Sequence, residues 1–235
     1  LGLDPEFSPW RDTHVRLEGP VVQQLQMVIL GDWYWATRET PEVNWSPEPA
    51  EGSDTIAMIF PFGPTGRFET ASLFFVTALN NARERIWLSA PYFVPDEAVM
   101  KALQLAALRG VDVRVITTGK GDSLAVFLAA FHYIDQLRDL GIRFYAYKPG
   151  FLHEKVALVD HDVSTVGTAN FDNRSFRLNF EVTAVIVDRA FATEMEAMFE
   201  RDFAHADAIE PAELDKKPFW WRLGVQVSRL AAPVL

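Results

Sequence analysis

Three apolar runs of strand length, Ile86–Ala90, Val111–Thr117 and Ile142–Tyr147, alternate with two helix-length stretches, and this alternation restricts the fold more than any other feature. Asp96 offers an N-cap for a helix that runs to Leu108 and is ended by Arg109-Gly110. A second helix is predicted from Leu124 to Leu140, ended by Gly141. The pattern continues on both sides. Val21 to Trp35 has helical periodicity, Thr55–Phe60 reads as a strand and Phe68 to Arg83 as an apolar-rich helix; Glu181–Val187 is a strand, followed by a helix from Ala190 to Phe203. Alternating elements of this kind predict an α/β fold, a mixed sheet with helices on both faces. With 235 residues, 49% of them hydrophobic, the chain is long enough to bury a substantial core. We expect one domain over residues 1–206 and a short C-terminal appendage over 207–235.

After the third strand comes the densest chemistry of the chain: His153-Glu154-Lys155, then Asp160, then Gly167-Thr168-Ala169-Asn170. Val156–Val159 and Val163–Val166 flank a turn at His161-Asp162, so the segment reads as a β-hairpin. Alternate residues of an extended chain share a face, which puts His153 and Lys155 on the same side. Thr168 and Asn170 can join them from the neighbouring segment. In such a pocket Lys155, Thr168 and Asn170 would hold the non-bridging oxygens of a phosphate while His153 reaches its phosphorus or its leaving oxygen. A neutral imidazole can attack phosphorus to give a phosphohistidine; a protonated one can supply a proton to a leaving alkoxide, typically worth about 10²–10⁴-fold in rate. Lys155 would stabilise the charge that grows on equatorial oxygens. This chemistry calls for no metal and no cofactor. His14, His132, His161 and His205 lack such a context and read as surface or core residues.

The spacing resembles the HxK(x)4D(x)6GSxN motif of the phospholipase D superfamily, with Thr168 in place of the more usual serine and its hydroxyl retained. The resemblance implies a phospholipase D-like fold. It also implies catalytic roles for His153, Lys155, Asp160, Asn170 and Glu181. Asp160 is the more structural of these, bonding groups near the hairpin turn, and Glu181 is the carboxylate expected to orient His153 through its other ring nitrogen. Further stretches, Trp10-Arg11-Asp12-Thr13-His14, Pro91-Tyr92-Phe93-Val94-Pro95-Asp96 and Phe171 to Glu181, resemble the second half of bacterial cardiolipin synthases. Such enzymes join two phosphatidylglycerol molecules into cardiolipin and release glycerol. Members carry two copies of the histidine-lysine motif, whereas this sequence has one; His14-Val15-Arg16 fails the spacing test. The start at Leu1-Gly2-Leu3-Asp4-Pro5 reads as the middle of a loop. The complementary motif is therefore expected from a missing N-terminal half or from a second identical chain across a two-fold contact. In the complete two-motif enzyme His153 would then be the general acid for the leaving glycerol, with the first-motif histidine as nucleophile; in a homodimer the two roles would be interchangeable by symmetry.

Charge separates this reading from its competitors, a nuclease or phosphodiesterase and an inactive half-site. The formal net charge of −10 argues against non-specific nucleic-acid binding, which relies on many cations meeting phosphates. Arg174 and Arg177 could anchor a lipid phosphate or simply form loop ion pairs. No uninterrupted apolar run of about 18 residues occurs, so contact with a membrane would be peripheral. Lys216-Lys217-Pro218-Phe219-Trp220-Trp221-Arg222-Leu223 has the composition of a lipid-interface segment. The resemblance accordingly implies a phospholipid substrate and a place at the cytoplasmic side of a bacterial inner membrane, and the acidic charge adds the expectation of no nucleic-acid partner. Residues 40–53, with three prolines among acidic residues, read as a surface loop. The absence of cysteine excludes disulfides and thiol catalysis.

Overall fold

The computed structural model describes residues 8–46, 48–210, 216–230 and 232. In chain order the elements are β1 (Trp10–Arg11), α1 (Val21–Thr37), β2 (Ile56–Phe62), α2 (Thr70–Asn81), β3 (Arg85–Ser89), β4 (Phe93–Val94), α3 (Glu97–Leu108) and β5 (Asp112–Thr118). Then follow α4 (Leu124–Leu137), β6 (Arg143–Tyr147), β7 (Phe151–Leu152), β8 (Val156–Val159), β9 (Val163–Gly167), β10 (Phe171–Asp172), α5 (Asn173–Arg177), β11 (Glu181–Val187), α6 (Arg189–Ala204), β12 (Ala206–Ala208) and α7 (Phe219–Arg229). Eight strands form one mixed sheet in the order β12-β6-β5-β3-β8-β9-β11-β2. The central β3, β5 and β6 are parallel, and α3 and α4 connect them. From β3 outward through β8, β9, β11 and β2 every pairing is antiparallel.

Strand alternation feeds two cores. On β3, Ile86 and Leu88 face α2, α3 and α4, where Phe75, Leu79, Leu103, Ile134 and Leu137 are buried with them. Trp87 points the other way, into a second core with Ile116, Leu158, Val166 and the α6 residues Met195, Phe199 and Phe203. Helices therefore cover both faces, as the alternating pattern implied. Phe199 and Leu103 are fully inaccessible, and truncating either to alanine should cost roughly 2–5 kcal/mol through lost transfer energy and the cavity left behind. Along the β2 edge a smaller cluster of Ile59, Ala184 and Ile186 packs under Val21, Leu25 and Val28 of α1.

The predicted signals act where they stand. Asp96 Oδ1 accepts the Val99 backbone N–H at 2.8 Å and starts α3. The second predicted helix is shorter than its periodicity suggests: α4 stops at Leu137 and tightens into a 3₁₀ turn, Arg138–Leu140, before Gly141. The hairpin forms with Val159 opposite Val163. β12 pairs with β6, so the sheet extends across the boundary expected at residue 206. α7, from the expected appendage, lies against α4. The expected loop-like start over residues 1–5 and the end of the expected appendage, at 233–235, lie outside the described residues.

Candidate active site

The pair His153 and Lys155 sits where β7 ends and β8 begins, on three residues outside regular strand pairing. What holds this segment is β1, which runs parallel to β7 with Trp10 opposite Phe151 and Arg11 opposite Leu152. His153 donates its backbone N–H to the Arg11 carbonyl at 2.8 Å, and Phe151 donates to the Pro9 carbonyl at 3.1 Å. The approach is close enough to demand glycine at position 150: φ is +94°, and a Cβ there would lie 2.1 Å from the Pro9 carbonyl oxygen. Trp10 covers one side of the imidazole, with ring centroids 4.6 Å apart.

This pairing delivers Asp12. Its Oδ2 lies 3.1 Å from His153 Nδ1, which fixes the ring and favours a proton on Nδ1. Nε2 makes no hydrogen bond among the described residues, and the side chain keeps 34% of its accessible surface. The expectation that Glu181 orients His153 is therefore not met. Glu181 instead accepts from the Asn179 side-chain amide at 3.0 Å, and its charge acts on Lys155 and Asp172.

Between the two half-exposed residues, Glu154 points inward and is fully buried, so the alternation of faces holds in the absence of a regular strand. Burial pushes the Glu154 carboxyl above its ordinary pKa, opposed by Arg11 and the Thr13 hydroxyl. Arg11 lies 3.2 Å from Glu154 and makes a two-pronged contact with Asp202 of α6 at 2.7 and 3.0 Å. Burial works against the guanidinium, but Asp202 and Glu154 more than offset it and its pKa is raised. A buried network thus ties β1, the His153 segment and α6 together. Asp12, Arg11, Glu154 and Asp202 are the residues that spacing along the chain did not single out.

Lys155 donates to the His153 carbonyl. Burial lowers its pKa from 10.5 to about 8, while Asp12, Glu181, Asp172 and Glu154 act in the opposite direction. An ammonium so placed is poorly solvated and available to an entering anion. Asn170 is fixed by its backbone N–H on Ser175 Oγ at 3.1 Å. Its Oδ1 is buried without a hydrogen-bond partner among the described residues. Nearby, Asp172 caps α5 by accepting the Ser175 N–H at 2.6 Å, and burial raises its pKa against the pull of Ser175 and Asn170.

One further expectation changes. The Thr168 hydroxyl accepts the Val182 backbone N–H at 2.9 Å and donates to the Val182 carbonyl at 3.4 Å, so it pins β9 to β11 instead of facing a phosphate. Asp160 lies in the hairpin turn at φ 52°, separated from Lys155 by the length of β8, about 16 Å of extended chain. Its carboxylate accepts backbone N–H groups of Arg83, Glu84 and Arg85 at 2.8–3.2 Å, which makes it a structural clamp remote from His153. Arg177 pairs with Glu69 at 3.0 Å on the surface as a loop ion pair. Among the described residues no three histidine, aspartate or glutamate side chains are grouped as metal ligands.

Residues 75–203 match the family described as "Cardiolipin synthase, PLD-like domain". The chain belongs to this family. It is 48% identical over 236 residues to cardiolipin synthase A of Pseudomonas aeruginosa and 46% identical over 235 residues to that of Pseudomonas putida. These alignments take in 100% of this chain but 48% and 49% of the relatives, so the chain spans about half the length of the curated relatives it matches. Among solved structures, Nuc, a phospholipase D family member from Salmonella typhimurium, superposes with a TM-score of 0.56 at 23% identity, covering 67% of this chain and 99% of Nuc. Phosphatidylserine synthase of Haemophilus influenzae Rd KW20 gives a TM-score of 0.61 at 13% identity, covering 95% of this chain and 56% of the synthase. At these identities the two structures establish a shared PLD-like α/β fold.

Proposed function

We propose that this chain supplies one half of a phosphatidyl-transfer site that joins two phosphatidylglycerol molecules into cardiolipin and releases glycerol. The observation that carries the reading is the His153–Asp12 pair beside Lys155, an imidazole held by one nitrogen with the other unengaged, next to a half-buried cation. Lys155 neutralises the non-bridging oxygens of the lipid phosphate, and Asn170 helps to orient them. A histidine from the complementary half attacks phosphorus. As the bond from phosphorus to the glycerol oxygen breaks, His153 gives that oxygen its Nε2 proton. His153 then takes the proton of a second phosphatidylglycerol hydroxyl, whose oxygen attacks phosphorus and breaks the phosphorus–nitrogen bond of the phosphohistidine. Asp12 stabilises the imidazolium in both directions. Glu181, which leaves the imidazole of its own chain to Asp12, is the carboxylate available to the incoming histidine. That histidine comes from the other half of a longer polypeptide or from a second copy of this chain across a two-fold axis. Phospholipid is the substrate, and the site works at a membrane surface.

The test is a chimera in which this chain replaces the residues it aligns with in the Pseudomonas aeruginosa relative, assayed on phosphatidylglycerol vesicles. Cardiolipin and free glycerol in equal amounts are expected. Phosphatidic acid as the main lipid product would make the site a hydrolase, and an inert chimera that binds vesicles would overturn the reading.

A further inference from the structure

The surface of α7 is divided into three faces by its helical period. Trp221, Gly224, Val225 and Ser228, spaced at i, i+3, i+4 and i+7, face α4. Val225 is buried, Trp221 meets Phe131 with ring centroids 4.9 Å apart, and a Cβ at Gly224 would touch Leu128 at 3.4 Å. At about 100° per residue, Phe219, Trp220, Leu223, Val227 and Leu230 gather within an arc of about 100° on another side. All five are exposed, from 41% for Leu223 to 80% for Leu230. Arg222, Gln226 and Arg229 occupy the remaining arc and are also exposed.

A helix that packs one face on its own domain and leaves a second apolar face in water lacks a partner for that face. Charge identifies the partner. Residues 216–230 hold four of the chain's 22 basic residues, Lys216, Lys217, Arg222 and Arg229, and none of its 32 acidic ones. The rest of the molecule is strongly anionic and would be repelled by an anionic surface, so a segment that reverses the sign locally is suited to meeting one. A second copy of the chain on this face would bring two such cationic segments together. We infer that α7 lies in the plane of an anionic phospholipid surface, with Phe219, Trp220, Leu223, Val227 and Leu230 in the boundary between headgroups and acyl chains. Basic flanks and an aromatic at the water boundary are the composition of helices that lie on membranes without crossing them. Among the described residues no helix is long and apolar enough to cross one.

The test is co-sedimentation of the chain with vesicles of phosphatidylcholine alone and with phosphatidylglycerol added, which needs no turnover and stands apart from the catalytic proposal. The wild type is expected to partition onto the phosphatidylglycerol vesicles and to leave them as salt is raised. Trp220→Gln with Leu223→Gln, both exposed positions, should lower partitioning at least tenfold at an unchanged melting temperature. Lys216→Gln with Lys217→Gln should remove the preference for phosphatidylglycerol. The inference is overturned if the apolar pair of substitutions leaves partitioning intact. It is equally overturned if the wild type ignores vesicles and instead dimerises through a contact that the same substitutions break.

Discussion

Lys155 should make the stability of the chain depend on pH in the direction opposite to the usual surface lysine. Its ammonium is held in a half-buried position where burial brings its pKa from 10.5 to about 8. Between those values the unfolded chain keeps the proton that the folded chain has released, so stability rises with pH across this window. The penalty is present in full below pH 8 and is gone above about pH 10.5. A difference of this size corresponds to roughly 3.4 kcal/mol at about 1.36 kcal/mol per pH unit, and solvent screening of a partly exposed ammonium reduces it to about 2 kcal/mol. Lys155→Met keeps the aliphatic stem and removes the charge. Urea unfolding of both proteins, followed by circular dichroism from pH 7 to pH 10.5, isolates the contribution as the difference between them. The wild type should gain about 2 kcal/mol on the variant across that range. A difference that stays flat, or falls, would refute the claim that this cation is strained in its site.

Other substitutions divide the site into its parts. In the chimera, Asp12→Asn should lower kcat about 10–100-fold with little change in KM, the worth of one charge-assisted hydrogen bond; unchanged turnover would mean that the imidazole is oriented by something else. Asp160→Ala strands three backbone N–H groups at the start of β3 and should destabilise the chain by about 2–4 kcal/mol in urea. Turnover per folded molecule should be unaffected, and a specific loss of kcat would return Asp160 to the chemistry.

Much of the fold was legible because its signals are local. Strand-length apolar runs, the Asp96 cap and the glycine after α3 all act within a few residues of where they stand. The site was legible only in part, because its decisive contacts are not local. Asp12 and His153 are 141 residues apart and meet through a strand pairing of two residues on each side, too short to announce itself in a pattern. The stretch around Asp12 did stand out by resemblance, and that was the available signal. The resemblance offers Glu181 to the imidazole, but a position along the chain does not say on which side of the pocket a strand delivers its carboxylate. Thr168 has the hydroxyl that the motif requires, yet the Val182 backbone, 14 residues on, takes both its donor and its acceptor. Spacing shows that a group is present; only packing shows whether it is already engaged.

Turnover of the chimera with His153→Ala, measured as cardiolipin formed from phosphatidylglycerol vesicles beside the His153 form at matched folded concentration, bears most directly on the transfer site. Loss of nearly all product, with the circular dichroism spectrum and vesicle partitioning retained, is the predicted result. Cardiolipin formed at an undiminished rate would contradict the account.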